Sequence, residues 1–187
     1  AVADIDMATP EPPEQVLETL TKAGIKVVPT GLAHGTVTAV IDAAPYEITT
    51  LRRDVETDGR HAVVAWTSDW QEDAARRDFT INAMAYSDTQ GLIDPFNGRD
   101  DLENRLIRTV GSPQRRLGED HLRILRGVRF ASQLEFKIEE GTYTASKEMS
   151  PLLSNISAER IRKELFKILL SKRPSYGLRL MNDLGIL

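Results

Sequence analysis

The first fifty residues switch between strand and helix patterns, which restricts the chain to folds built on a sheet. In "AVADIDMA" polar and apolar residues alternate with period two, so Asp4 and Asp6 share one face of a predicted strand. A helix is predicted next, beginning at Thr9 or a nearby proline and stopped by Gly24. A hairpin follows, with strands at 36–41 and 46–51 and a turn in "DAAP". This order indicates an α/β or α+β sheet.

The rest of the chain is mostly helical in pattern. The predicted elements are a turn at Asp58-Gly59, a short strand in "AVVAW", a short helix after the turn at Asn97-Gly98, a strand at 106–110, a helix from about Leu117 to Ala131, and helices beginning at Ser157 and in "SYGLRLMNDLG". We therefore predict an α+β chain with a sheet-containing domain at 1–111 and a helical domain at 112–187.

Composition excludes several classes of protein. The 187 residues are 41% hydrophobic, which is enough for a sizeable core, and carry a formal net charge of −4, which excludes a uniformly basic surface. No cysteine is present, so a disulfide framework and a cysteine-based zinc site are excluded, and a cytoplasmic location is expected. No apolar run approaches the roughly 18 residues of a membrane span, so no membrane partner is expected.

Three carboxylates form a candidate metal site. Asp4 and Asp6, on one face of a strand, are about 7 Å apart along the chain and can share hard Mg²⁺ ions. Glu47, in the second hairpin strand, would add a third carboxylate from a neighbouring strand. Two metals about 3.5–4 Å apart can activate a hydroxyl and stabilise a leaving pyrophosphate. The alternative is a set of solvated acids on an exposed sheet.

The segment "RRDFTINAMAY" carries chemistry suited to a nucleotide. Arg76 and Arg77 offer planar, permanently charged forks that match phosphate oxygens. Asp78 can accept from a ribose hydroxyl, and Asn82 can bond the nucleotide or a backbone group. The alternative is a charged helix start followed by core residues.

The segment "EDHLRILRGVRF" predicts an amphipathic helix with a basic face. Plotted on one helix, Arg123, Arg126 and Arg129 share an arc opposite an apolar stripe, with no acidic partners further along. Asp120 lies three residues before Arg123, close enough to pair. A carboxylate beside a guanidinium offers an acceptor and several donors to a base edge. The alternative is a solvated basic face.

These segments occur in an ordered set that resembles the class II tRNA nucleotidyltransferase family, which includes CCA-adding enzymes and bacterial poly(A) polymerases. The set is "DIDMAT", "EITTLRRD", "RRDFTINAMA", "DPFNGRDDL", "EDHLRILRGVRFA" and "SAERIRKEL". The resemblance implies a polymerase-β-like nucleotidyltransferase palm, a small mixed sheet with helices, followed by a helical neck. It implies that Asp4 and Asp6 bind Mg²⁺, with Glu47 as the third catalytic carboxylate. A plain α/β scaffold would leave this ordered set unexplained.

The resemblance also implies a nucleotide-binding set. Arg77 would contact the phosphates and Asp78 the ribose, while Asp120 and Arg123 would act as a protein template for CTP and then ATP. The remaining residues of the predicted nucleotide-binding set are Asn82, Arg126 and Arg129. Residues 52–73 match the family's flexible loop, which favours competence for A addition.

The implied activity is addition of C, C and A from CTP and ATP to the 3′ acceptor end of tRNA. The alternatives are an A-only enzyme, a poly(A) polymerase, or a non-catalytic fragment that binds RNA or nucleotide. The family's Gly-Gly-x-Val-Arg-Asp phosphate loop is expected before Ala1, and its body and tail helices after "LGIL". We expect missing segments or another chain to supply these parts.

Overall fold

The computed structural model describes residues 5–57 and 62–187, without the side chains of residues 30, 55–57 and 62–64. Asp4 and the predicted turn at Asp58-Gly59 lie outside the described residues. Of the described residues, 5–57 and 62–73 form one compact unit (unit 1) and 74–187 form another (unit 2). This division falls well before the boundary at 112 that we expected from the sequence.

Unit 1 contains a four-stranded mixed sheet and a separate two-stranded hairpin. Its elements are β1 (Asp6–Thr9), α1 (Pro13–Lys22), β2 (Lys26–Gly31), β3 (Thr36–Ile41), β4 (Ala44–Thr50), β5 (Arg52–Thr57), β6 (Ala62–Trp66) and the first turn of α2 (Trp70–Ala75). The sheet order is β1-β4-β3-β2, with β1 parallel to β4 and the other pairs antiparallel. Strands β5 and β6 form the separate hairpin, so the predicted "AVVAW" strand is confirmed.

The predicted hairpin is confirmed, with a tighter turn than expected. Ile41 pairs with Ala44, which leaves Asp42 and Ala43 as a two-residue loop. Both loop residues have positive φ, 51° and 65°, as the turn types that match the twist of a hairpin require. Strand β4 therefore begins at Ala44, two residues before the predicted start.

Helix α1 ends as predicted, and the strand after it was missed. Gly24 has a φ of 74°, a conformation that glycine adopts without steric cost, and it terminates the helix after Lys22. The helix begins at Pro13, and Thr9 belongs to β1 instead. Strand β2 contains Pro29, which cannot donate a backbone hydrogen bond to a neighbouring strand. It is tolerated because β2 is an edge strand with a register shift between Val28 and Gly31.

Unit 2 is mainly helical. Its elements are β7 (Ala85–Ser87), β8 (Gly91–Ile93), α3 (Gly98–Glu103), β9 (Leu106–Ile107), α4 (Pro113–Glu119), α5 (Leu122–Leu134), β10 (Lys137–Ile138), α6 (Glu140–Met149), α7 (Ala158–Leu169), α8 (Pro174–Asp183) and 3₁₀ turns at Thr80–Asn82 and Ser150–Asn155. The short helix after Asn97 and the helix after Ser157 are confirmed, whereas α6 was not predicted. The predicted strand at 106–110 is reduced to β9 and one isolated bridge to Phe79.

The segment after Arg77 belongs to unit 2 because its backbone and its aromatic residue pack there. Phe79 is fully buried in a hydrophobic cluster with Ile107 and Ala131. On either side of it, the Val110 N–H donates to the Asp78 carbonyl at 3.0 Å, and the Thr80 N–H donates to the Arg108 carbonyl at 2.9 Å. These contacts explain why the compact units divide before "RRDFTINAMA" and not after it.

The prediction of a single helix from Leu117 to Ala131 is wrong, because the helix is interrupted at Asp120. This residue is extended, with φ −156° and ψ 104°, so α4 ends at Glu119. An oxygen of the Asp120 side chain accepts from the Leu122 N–H at 3.1 Å, at the point where α5 begins. The two helices nevertheless share one core, which explains the continuous apolar pattern. Among the described residues, no helix is both long and apolar enough to cross a lipid bilayer.

Candidate metal-binding and nucleotide-binding residues

Strands β1 and β4 bring two of the predicted carboxylates together. In their parallel ladder Asp6 is the register partner of Glu47, so both side chains leave the same face of strands about 4.8 Å apart. Both residues are exposed. Within the described part of the chain, neither carboxylate is engaged in a hydrogen bond or an ion pair.

This donor set suits a divalent cation. Two adjacent carboxylates supply hard oxygen ligands and negative charge, which such cations require. The third predicted ligand, Asp4, lies outside the described residues. Among the residues that are described, no group of three or more acidic or histidine side chains is arranged so that it could hold a metal ion. The structure thus places Asp6 and Glu47 as one pair of the predicted trio.

Asp78 lies at the centre of a local hydrogen-bond network. Its Oδ1 accepts from the Phe79 N–H at 2.9 Å and from Asn82 Nδ2 at 3.1 Å. Its Oδ2 accepts from Arg126 Nε at 2.7 Å. Arg77 donates to the Asn82 carbonyl at 2.9 Å. The segment therefore enters a 3₁₀ turn, and the alternative of a charged α-helix start is wrong.

The predicted pair between Asp120 and Arg123 is not formed. Asp120 lies outside α5, and its Oδ2 is 2.7 Å from Nη2 of Arg160 on α7. Arg123 Nη1 instead lies 2.7 Å from Oε2 of Glu119 and donates to the Arg116 carbonyl at 2.7 Å. Asp120 and Arg123 do not pair because the helix is interrupted at Asp120. The predicted contact assumed that both residues lie on one continuous helix.

The prediction of one basic face without acidic partners is also wrong. Arg126 pairs with Asp78, and Arg129 Nε lies 2.6 Å from Oε2 of Glu164 on α7. Arg129 is buried, with its guanidinium carbon 4.0 Å from the centre of the Phe130 ring. Each of the three arginines therefore has an acidic partner from another part of unit 2.

Sequence reasoning missed three residues that hold the predicted ones: Glu119, Arg160 and Glu164. One of them left a signal in the sequence. Glu164 lies three residues after Ile161 and four before Ile168, which places a charge on the apolar face of α7. A charge at such a position needs a buried partner, and Arg129 is that partner.

Comparison with protein families gives a match over most of the chain. A family model described as "Poly A polymerase head domain" matches residues 1–108, more than half of the chain. A second, described as "Probable RNA and SrmB- binding site of polymerase A", matches residues 135–187. The first match, together with the small mixed sheet, defines the class as polymerase-type nucleotidyltransferase heads.

Individual relatives in this class have more specific names. The human mitochondrial CCA tRNA nucleotidyltransferase 1 is 45% identical over 98% of this chain and 43% of its own length. The crystal structure of the Bacillus stearothermophilus CCA-adding enzyme in complex with CTP has a TM-score of 0.89 and 37% identity, over all of this chain and 44% of that one. A tRNA nucleotidyltransferase complexed with a primer tRNA and an incoming ATP analog has a TM-score of 0.83 and 31% identity, over all of this chain and 53% of that one.

The chain belongs to the poly(A) polymerase head-domain family. The relatives described above are CCA-adding enzymes and tRNA nucleotidyltransferases. The structural matches confirm the expected α+β fold class with a polymerase-β-like head. The chain spans about half the length of the relatives it matches, or slightly less.

Proposed function

We propose that this protein adds C, C and A from CTP and ATP to the 3′ end of tRNA. The observation that carries the proposal is the register pairing of Asp6 with Glu47 in a sheet of this family. The substrates named for similar proteins, namely CTP, an ATP analog and a primer tRNA, support the same chemistry.

The reaction would proceed in one displacement. The 3′-hydroxyl of tRNA gives up its proton to water and its oxygen forms a bond to the α-phosphorus. The bond from that phosphorus to the bridging oxygen breaks, and pyrophosphate leaves with the electron pair. No covalent protein intermediate is needed, so the protein contributes positioning and charge stabilisation. Asp6, Glu47 and Asp4 would hold divalent cations, for which we propose Mg²⁺. Bound Mg²⁺ would supply charge neutralisation at the reacting phosphates.

Unit 2 would recognise the nucleotide. Asp120 and Arg123 would read the base edge, each held by a separate ion pair, with Arg160 and Glu119 respectively. Arg77 would contact phosphate oxygens, for which a guanidinium fork is suited. Asn82 would act through Asp78, to which its amide donates. Arg129 is better explained as a support of α5, because its guanidinium is buried against Glu164.

The test uses the full-length protein and three tRNAs that end before the first C, after CC and after CCA. Each is incubated with CTP alone, with ATP alone and with both. Termination after CCA supports the proposal. Addition of A only to the CC-ended tRNA would identify an A-adding enzyme, and long A tails on the finished end would identify a poly(A) polymerase.

Two sets of variants assign the residues. Asp6→Ala should abolish incorporation, whereas the matched control Glu18→Ala, an exposed acid on α1, should leave it unchanged. Full activity of Asp6→Ala would overturn the metal assignment. Asp120→Ala and Arg123→Ala should impair the choice of base more than the binding of triphosphate. Equal use of all four nucleotides by the unmodified protein would contradict a protein template.

Mg²⁺ as the particular cation and a cytoplasmic location remain predictions. Incorporation measured with Mg²⁺, with Ca²⁺ and with a chelator tests the first. Imaging or fractionation of the full-length protein in its native cells tests the second.

A further inference from the structure

The carboxylate of Asp78 has no free edge for a ribose hydroxyl. A carboxylate has about four acceptor positions, two on each oxygen. Two local donors occupy Oδ1, and Oδ2 lies 2.7 Å from Arg126 Nε and 2.6 Å from Arg126 Nη2. The Asp78 residue is only 8% exposed. As it stands, Asp78 cannot accept a further hydrogen bond from a ligand unless one of these donors leaves.

Arg126 is the donor that can leave. The Phe79 N–H is part of the backbone, and Asn82 is fixed in the 3₁₀ turn by its own N–H, which donates to the Phe79 carbonyl at 3.0 Å. The Arg126 side chain is 36% exposed, and its guanidinium carbon lies 5.8 Å from the Phe130 ring centre. Arg129 on the same helix differs, because it is buried and has two acceptors, Glu164 and Gln133.

We propose that Arg126 is an exchangeable partner of Asp78, which we call the latch. Its release determines which nucleotides can form a hydrogen bond from the ribose to Asp78. In the nucleotide-free protein Arg126 covers Asp78. When a ribonucleoside triphosphate binds, Arg126 leaves Asp78 for phosphate oxygens, and the released Oδ2 accepts from the ribose 2′-hydroxyl. The latch rests on the proposed function, since it assumes that unit 2 binds CTP and ATP.

The latch couples ribose recognition to the presence of phosphates. A triphosphate offers Arg126 a new anionic partner, so the ion pair with Asp78 is exchanged and not simply lost. A nucleoside without phosphates offers no such partner, so it must bind with Asp78 still covered. The 2′-hydroxyl should therefore increase the affinity for CTP and have almost no effect on the affinity for cytidine.

The test is equilibrium binding of CTP, dCTP, cytidine and 2′-deoxycytidine to the full-length protein. The unmodified protein should prefer CTP to dCTP and should bind cytidine and 2′-deoxycytidine almost equally. Arg126→Gln should weaken CTP binding by about tenfold, the equivalent of one charge-assisted contact. The same change should strengthen cytidine binding and create a preference for cytidine over 2′-deoxycytidine. Arg179→Gln, an exposed arginine on α8, serves as the control and should change neither.

Opposite effects of Arg126→Gln on the affinities for cytidine and for CTP would distinguish a latch from a merely structural role of Arg126. If Arg126→Gln weakens both ligands, or changes neither, the latch is wrong. Asp78→Ala is the second variant, because it removes both acceptor oxygens, and it should remove the preference for CTP over dCTP. A retained preference would also overturn the proposal. Transfer of CMP to tRNA by the unmodified protein tests the proposed function separately, and a protein that binds neither CTP nor cytidine would overturn both.

Discussion

Replacing Glu164 by glutamine should destabilise unit 2 more than any exposed charge change on the same helix. The side chains of Glu164 and Arg129 are 6% and 11% exposed, and their closest atoms are 2.6 Å apart. Removing one partner of such a buried pair typically costs about 3–5 kcal/mol, because the other charge remains in a poorly solvated site.

The lower end of that range applies here. In Glu164→Gln the guanidinium of Arg129 keeps its hydrogen bond to Gln133 and its contact with the Phe130 ring. The new amide oxygen can also still accept a hydrogen bond, although a neutral one. We therefore expect a loss of about 3 kcal/mol in the free energy of unfolding, or roughly 6–12 °C in Tm.

The assay is urea unfolding followed by circular dichroism at 222 nm, because unit 2 holds most of the helices while both tryptophans, Trp66 and Trp70, lie in unit 1. The matched control is Glu159→Gln, an exposed acid of α7 paired with Lys163, and it should leave the unfolding midpoint nearly unchanged. The double variant Arg129→Met, Glu164→Leu should cost less than the sum of its single changes. A loss below about 1 kcal/mol for Glu164→Gln would refute the reasoning.

Three further substitutions test local features of the fold. Gly98→Ala should lower the free energy of unfolding by about 1–3 kcal/mol, because its Cβ would overlap the Thr80 carbonyl oxygen; an unchanged Tm would contradict this contact. Ala43→Gly should raise the unfolding free energy by up to about 1 kcal/mol by relieving the positive φ of the hairpin turn, and a loss would argue against that turn. Burial acts to raise the pKa of Glu139, but hydrogen bonds from two backbone N–H groups of α6 hold that pKa below its usual value of 4.5. The stability that Glu139 contributes is therefore full above pH 4.5 and lost as the pH falls through the lower folded-state pKa. Urea midpoints of Glu139→Ala and the unmodified protein should differ at pH 7, and the difference should shrink as the pH is lowered below 4.5.

Local signals predicted the elements that local chemistry determines. Gly24 ended α1, Ser157 preceded α7, and the turn in "DAAP" separated β3 from β4, because the cause of each feature lies within a few residues. The helix break at Asp120 could not be predicted in this way. The apolar pattern runs through it without interruption, while one contact that fixes the Asp120 side chain comes from Arg160, forty residues later.

The same distinction applies to the candidate site. The sequence placed Glu47 in the second hairpin strand, but only the parallel register of β1 and β4 shows that it is the direct partner of Asp6. The wheel of "EDHLRILRGVRF" grouped three arginines on one arc, but it could not show which side chains they contact. Their partners Glu119, Asp78 and Glu164 come from three different segments, so only the folded unit shows that the arginines are paired.

These pairings divide the arginines of α5 by how firmly they are held. Arg123 donates to Glu119 and to the Arg116 carbonyl, so a base-reading group at this position is oriented before any nucleotide arrives. Such preorganisation favours discrimination, because the correct base need not pay for ordering the side chain. Arg126 is the more exposed and has one acidic partner in unit 2, Asp78, which the proposed latch would exchange for a phosphate. With Arg123 fixed, helix α5 would read the base without reorganising that side chain. With Arg126 exchangeable, the contact between Asp78 and the ribose would form only when a triphosphate is bound.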